Sequence, residues 1–363
     1  MIDFCDLSLP QATEESIWKK CRNLVRQNGY VLSKEVDDFE NDFARFCEAN
    51  HCLGVATGCD ALMWAMEGLG IGRGDEVITV ANTFIGTVLP IIRVGATPVL
   101  VDCDPKTQQI DPDQVASAIT PRTSAIVPVH LYGRLAPMDE LLRLSNKNGL
   151  ALLEDAAQAH GARYKGKRAG SMGHASGFSF YPAKNLGAWG DGGAMVTSDT
   201  SLYEKVKKIR NYGQEKKYFH SQIGWNSRLD SLQAIVLAEK LLLLDQWNER
   251  RRSIASRYYD ILNDTEVSLY HESPENEPVH HLFVVTHKNR DLIQSKLNSQ
   301  GIATGIHYPV PIHKHKCFAN EPFAKDGCFP HAEAQSAQLL SLPMHPNMTI
   351  SEVETVFQCL KAI

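Results

Sequence analysis

The sequence predicts an α/β fold, with a large domain around a mostly parallel sheet and a smaller C-terminal α+β domain. Three observations carry the prediction. Between Cys52 and Thr197, short apolar strands alternate with helical stretches. The strands are rich in β-branched residues and show no polar alternation, as strands covered on both faces do. From Leu229 onward the pattern turns to a long helix and then to fewer strands. The division is placed at residues 1–245 and 246–363.

Taken in order, Pro10 with Thr13-Glu14-Glu15 opens a first helix that Asn28-Gly29 stops. Ser33 to Cys47 is a second, with Val36, Phe39, Phe43 and Phe46 at spacings of three and four. Its acidic residues Glu35, Asp37, Asp38, Glu40 and Asp42 read as a solvated face. Strands follow at 52–56, 75–80, 98–102, 124–131, 150–154 and 193–197, with helices at 60–69, 83–94, 137–148 and 201–210. Leu229 to about Leu262 reads as one helix, striped by Leu232, Val236, Leu237, Leu241 and Leu244. The charge run Trp247 to Arg252 within it reads as another solvated face. His281 to Val285 is a strand; 291–300, 332–340 and 350–360 are helices.

Composition narrows the function classes. The 363 residues are 43% hydrophobic and 22% charged, as in ordinary soluble domains. A net charge of -5 gives no electrostatic case for nucleic acid or an anionic membrane. Nine scattered cysteines without a Cys-x-x-Cys pair read as reduced thiols of a cytoplasmic protein. The first residues lack the basic and apolar regions of a signal peptide, and no apolar run reaches the ~20 residues that span a bilayer.

The chemistry concentrates in Gly177-Phe-Ser-Phe-Tyr-Pro-Ala-Lys184, followed by glycines at 187, 190, 192 and 193. An apolar setting lowers a lysine pKa, and a neutral amine attacks carbonyls. The plainer alternative is a snorkelling lysine at a strand end. A second stretch, Leu152-Leu-Glu-Asp155-Ala-Ala-Gln158, ends an apolar strand in an acid pair. A cofactor of the pyridoxal phosphate type needs a lysine for its aldehyde and an acid for its ring nitrogen, and Lys184 and Asp155 supply both. Asp155 suits a helix N-cap as well. Thr57-Gly58-Cys59 joins a strand to a helix, where backbone N–H groups and the helix dipole favour an anion; with Ser179 it forms a candidate phosphate cup. Phe84 is placed to stack on a pyridine ring, although most such aromatics are core. The histidines of the stretch 307–315 resemble a metal cluster only superficially, since prolines forbid the helix that would align them. No metal is expected.

Several segments resemble the DegT/DnrJ/EryC1/StrS aminotransferases: 71–78, Val129-His-Leu-Tyr-Gly133, Glu154 to Ala162, Phe178 to Pro182, Lys184-Asn-Leu-Gly187, Gly190-Asp-Gly-Gly193 and Asn226 to Ala234. The likeness runs from about Gly29 to Pro346 with the motifs in order. It implies the type-I fold of pyridoxal-phosphate transferases, with a seven-stranded sheet, and the amination of a nucleotide-linked keto sugar by L-glutamate. Pyridoxamine 5'-phosphate would be the intermediate form of the cofactor. Position by position, it implies that Lys184 binds the cofactor and shuttles the proton. Asp155 would pair with the ring nitrogen, Gln158 lie near the ring hydroxyl, and Phe84 stack. Thr57, Gly58, Cys59 and Ser179 would hold the phosphate, and Asn226 would reach the neighbouring subunit's phosphate in a homodimer. Tyr181, Tyr218, His220, His307 and Tyr308 are the candidate substrate contacts.

Two positions depart from the family pattern. Cys59 replaces a threonine, so phosphate binding there must lean on the backbone amide. Leu32-Ser33-Lys34-Glu35-Val36 lacks a glycine, which questions any turn that needed it. Segments 130–133, 161–166, 210–213 and 306–309 look most like enzymes that aminate C3 of dTDP-3-keto-6-deoxyhexoses. The alternatives are a 4-aminotransferase and a non-catalytic regulator on the same scaffold. A related sugar dehydratase would carry histidine in place of Lys184.

Overall fold

A computed structural model describes residues 1–263, 265–325 and 327–361. Seven strands form the main sheet: β1 (His51–Val55), β2 (Glu76–Val80), β3 (Thr97–Val101), β4 (Thr123–Val127), β5 (Ala151–Asp155), β6 (Ala175–Ser179) and β7 (Gly193–Thr197). Their order is β1-β7-β6-β5-β4-β2-β3, and β7 alone runs against the rest. The two-residue side-chain period divides every strand but β3 between two buried clusters. Leu53, Val77, Val127 and Leu153 join the helices Gly58–Gly68 and Thr200–Ile209 on one face. Cys52, Ile78, Ile126 and Leu152 pack with Phe39, Phe43 and Phe178 on the other. Both faces are covered, which is why the strands carry no polar alternation.

The C-terminal part centres on Phe283–Thr286, paired antiparallel with Ser268–Leu269 and Leu339–Leu342. Ile254, Tyr258, Phe283, Ile293, Leu340 and Val353 make its core, which Ile2 joins from the far end of the chain.

Several elements differ from expectation. The helix expected over 229–262 is two, Ser231–Leu241 and Leu244–Leu262. Leucines at 241–244 cannot all share one helical stripe; the break buries Leu244 and leaves Leu242 80% exposed. The helix expected to run to Leu340 stops at Gln338, because Leu339–Leu342 is a fully buried strand. The strand expected to run to 131 ends at Val127. Glu40 is not on a solvated face: it is buried, pairs with Arg210 and accepts from Gly54 N–H at 2.7 Å. Within the 247–252 run, Asn248 and Arg251 are buried too, and Arg251 donates to the Met344 carbonyl at 2.9 Å. Ser33 needs no glycine, since it caps its helix at φ -85° in extended backbone.

Candidate active site

The parallel strands end at one edge of the sheet, where α/β folds collect ligands. A cavity of about 380 Å³ lies there. The turn after β1 enters it first. Thr57 caps the Gly58–Gly68 helix, its Oγ1 accepting from Asp60 N–H at 3.1 Å. The N–H groups of Gly58 and Cys59 find no acceptor among the described residues, as the first turn of a helix leaves them. A Cβ on Gly58 would stand 2.8 Å from that of Ser179, so only glycine lets β6 approach this turn. Ser179 Oγ accepts from Tyr181 N–H at 3.3 Å, leaving its own proton to donate. The Cys59 thiol donates to the Gly86 carbonyl at 3.4 Å, and burial pushes its pKa up to about 11. It is an unreactive thiol turned to the Phe84 loop. Cys59 therefore offers the cup its backbone N–H.

Lys184 follows β6 in a turn fixed by its neighbours. Its N–H donates to the Tyr181 carbonyl at 2.8 Å. Asn185 is buried and donates to Asn248 and to the Val279 carbonyl, both at 3.0 Å. Among the described residues the Lys184 amine makes no hydrogen bond or ion pair, and burial lowers its pKa to about 8 against a smaller pull from Asp155.

The acid pair at the end of β5 divides its labour. Glu154 is fully buried outside the cavity and accepts from His130 Nε2, Ser176 Oγ and the N–H groups of Gly170, Met172 and Gly173 at 2.7–3.0 Å. Burial pushes its pKa up, but the His130 donor and the backbone donors outweigh it, so Glu154 stays anionic. Ala136 N–H donates to His130 Nδ1, which leaves His130 Nε2 carrying the proton that it gives to Glu154. Asp155 faces the cavity, accepting from Thr87 at 2.7 Å and from Ala157 N–H at 3.2 Å. Gln158 is held between Tyr132 N–H, from which it accepts at 2.6 Å, and the Tyr308 hydroxyl, to which it donates at 3.0 Å.

Of the sequence candidates, Thr57, Gly58, Cys59, Phe84, Asp155, Gln158, Ser179, Tyr181, Lys184, His307 and Tyr308 all line the cavity. Tyr218, His220 and Asn226 do not; they are exposed on the segment that carries the Gln214–Lys216 and Phe219–His220 hairpin. Sequence reasoning missed Phe4, Cys5, Thr87 and His281. Phe4 stacks on His307, with centroids 5.5 Å apart. Burial lowers the His307 pKa to about 4, and Ser341 Oγ fixes its Nδ1 at 2.9 Å. No local signal marks Phe4, which arrives from the opposite end of the chain. Among the described residues no group of three or more His, Cys, Asp and Glu side chains is arranged to hold a metal. His313 pairs instead with Glu333.

Comparison with known proteins finds relatives that match nearly the whole chain. The erythromycin biosynthesis sensory transduction protein EryC1 of Saccharopolyspora erythraea is 45% identical over 99% of both chains. The dTDP-3-amino-3,6-dideoxy-alpha-D-galactopyranose transaminase of Aneurinibacillus thermoaerophilus is also 45% identical over 99% of both. Among solved structures, S. venezuelae DesV in complex with a ketimine intermediate superposes with a TM-score of 0.94 at 44% identity, over 99% of this chain and 98% of that one. The family model for DegT/DnrJ/EryC1/StrS aminotransferases matches residues 11–361, and the chain belongs to that family.

Proposed function

We propose that this chain is a pyridoxal 5'-phosphate-dependent transaminase, converting a dTDP-linked 3-keto-6-deoxyhexose to its 3-amino sugar with L-glutamate as donor. The observation that carries the reading is Lys184, an amine of lowered pKa, unpaired among the described residues, that shares one cavity with the Asp155 carboxylate. The residues fit the cofactor. Two backbone N–H groups without acceptors among the described residues and two hydroxyls with protons to give suit a phosphate, and Gly58 leaves no Cβ in the way. C3 as the reacting carbon draws support from the transaminase relative of Aneurinibacillus, named for a 3-amino sugar.

When bound, pyridoxal 5'-phosphate supplies an aldehyde that captures amines and a ring that takes up carbanion charge. Lys184 would bind that aldehyde. Its amine, when free, would take a proton at the donor α-carbon and later return one at the sugar carbon that receives the amine. A pKa near 8 leaves its base form accessible near neutrality. Asp155 would keep the ring nitrogen protonated, Gln158 would serve the ring hydroxyl, and Phe84 would stack on the ring. Thr57, Ser179 and the Gly58 and Cys59 amides would hold the phosphate. His307, neutral in this setting, stands with Tyr181 and Tyr308 on the substrate side.

The reading includes a homodimer in which Asn226, and with it Tyr218 and His220, enters the partner's site. Support comes from the exposed apolar residues of that segment: Tyr218, Phe219, Ile223 and Trp225. It takes residues 1–245 and 246–363 as the two domains, in keeping with a C-terminal cluster drawn from Ile254 onward save for Ile2. A cytoplasmic setting accords with nine free thiols.

The first experiment is an absorbance spectrum of the purified protein before and after glutamate. A visible band that glutamate converts is expected in the wild type, with turnover lost in Lys184→Ala. A protein that stays colourless with added cofactor would favour a regulator on this scaffold, the second reading, which draws on the name of EryC1. Assaying dTDP-3-keto and dTDP-4-keto sugars side by side tests the carbon; preference for the 4-keto sugar overturns C3.

A further inference from the structure

Behind Asp155 lies a short chain of hydroxyls. Thr83 and Thr87 are 2% and 1% exposed, and their Oγ1 atoms stand 2.8 Å apart. Thr87 Oγ1 lies 2.7 Å from Asp155 Oδ2. An ionised carboxylate only accepts, so Thr87 must donate to Asp155, and its oxygen is left to accept from Thr83. The direction of the chain is set by its acidic end. A threonine inside a helix commonly returns its hydroxyl to the carbonyl one turn back. Thr87 lies within the Ile85–Arg93 helix, yet its hydroxyl crosses to β5 instead. With Ala157 N–H on Oδ1, each carboxylate oxygen has one donor, and the carboxylate plane is fixed from two sides. Phe84 caps the same helix, so one helical turn carries the candidate ring-stacking residue and the group that orients the acid.

We propose that Thr87 is a positioning residue of the cofactor site: its hydroxyl, set by Thr83, orients the Asp155 carboxylate that receives the ring nitrogen and holds it in the anionic form. The proposal rests on the reading of Asp155 given above. Burial pushes the Asp155 pKa up, and the Thr87 hydroxyl, the Ala157 amide and Lys184 oppose it. Losing the first of these would push the Asp155 pKa further up and weaken its hold on a protonated ring nitrogen.

Thr87→Val keeps the shape and removes the hydroxyl, whereas Thr87→Ser keeps the hydroxyl. The readouts are the cofactor dissociation constant, from titration of the apoprotein with pyridoxal 5'-phosphate, and the pH midpoint of the visible band of the bound cofactor. A hydrogen bond to a charged group is worth about a tenfold or greater weakening of cofactor binding in Thr87→Val. The midpoint should also rise, because a ring nitrogen without its positive charge no longer repels the neighbouring proton. Thr87→Ser should restore both. Asp155→Ala serves as the control. If it weakens binding while Thr87→Val binds and titrates like wild type, the role of Thr87 is refuted and the reading of Asp155 stands. If Asp155→Ala also binds like wild type, both fall. Near-ultraviolet circular dichroism checks folding; should Thr87→Val not fold, Thr83→Val, which breaks the chain one step back, is expected to raise the midpoint, and an unmoved midpoint there refutes the proposal.

Discussion

At Lys184 the folded chain holds an amine that pairs with no carboxylate among the described residues, and its pKa falls from 10.5 to about 8. The unfolded chain therefore binds the extra proton between pH 8 and 10.5, so this residue makes stability rise with pH through that window. Below it, the buried charge is a fixed cost on the order of 3 kcal/mol. Apoprotein carrying Lys184→Met is expected to be more stable than wild type at pH 7 by up to about that amount, the gap closing toward pH 10.5; chemical denaturation across pH measures it. The lysine was legible because a lone cation ends an apolar run before a glycine-rich turn. Asp155 was legible because an acid closes an apolar strand. Thr87 was not, since its meaning depends on a carboxylate 68 residues away.

Elements read from periodicity succeed where one face or both faces of a strand or helix decide the pattern. They fail where a short apolar run fits two periods, as Leu339–Leu342 does: every residue is buried, so no alternation separates strand from helix. The turn joining β1 to its helix poses a different constraint, one of close approach. A Cβ at Gly193 would stand 2.2 Å from the Thr57 carbonyl carbon, a backbone atom that cannot step aside, while one at Gly58 meets the Ser179 Cβ at 2.8 Å and the Ser179 backbone no closer than 3.1 Å. Gly58→Ala is expected to cost about 1–3 kcal/mol, with weaker cofactor binding as Ser179 is displaced. Gly193→Ala should cost more, since the two strands that frame the cup must separate. Thermal melting of both variants ranks them.

For the whole molecule, strand and helix alternation made the layered α/β body readable. The reversal of β7 was not readable, because a strand of this composition packs equally well in either direction. That reversal brings Gly193, the first residue of β7, to the ligand edge, opposite Val55 and Ser179. The proposed exchange of Asn226 between subunits has a sharp consequence. Lys184→Ala and Asn226→Asp proteins, each impaired alone, should regain activity when unfolded together and refolded, because a mixed dimer holds one site with Lys184 and a wild-type Asn226. No recovery would place Asn226 in its own subunit's site. The amino-terminal strand of contacts matters in a practical way as well. Ile2 pairs with Ile302, Phe4 stacks on His307, and Asp6 and Ser8 are tied to Asn347. Proteolytic loss of residues 1–8 would remove Phe4 and Cys5 from the wall of the reaction chamber itself. The last described helix, Ile350–Lys361, lines no part of that chamber, so cuts or substitutions there leave its wall intact.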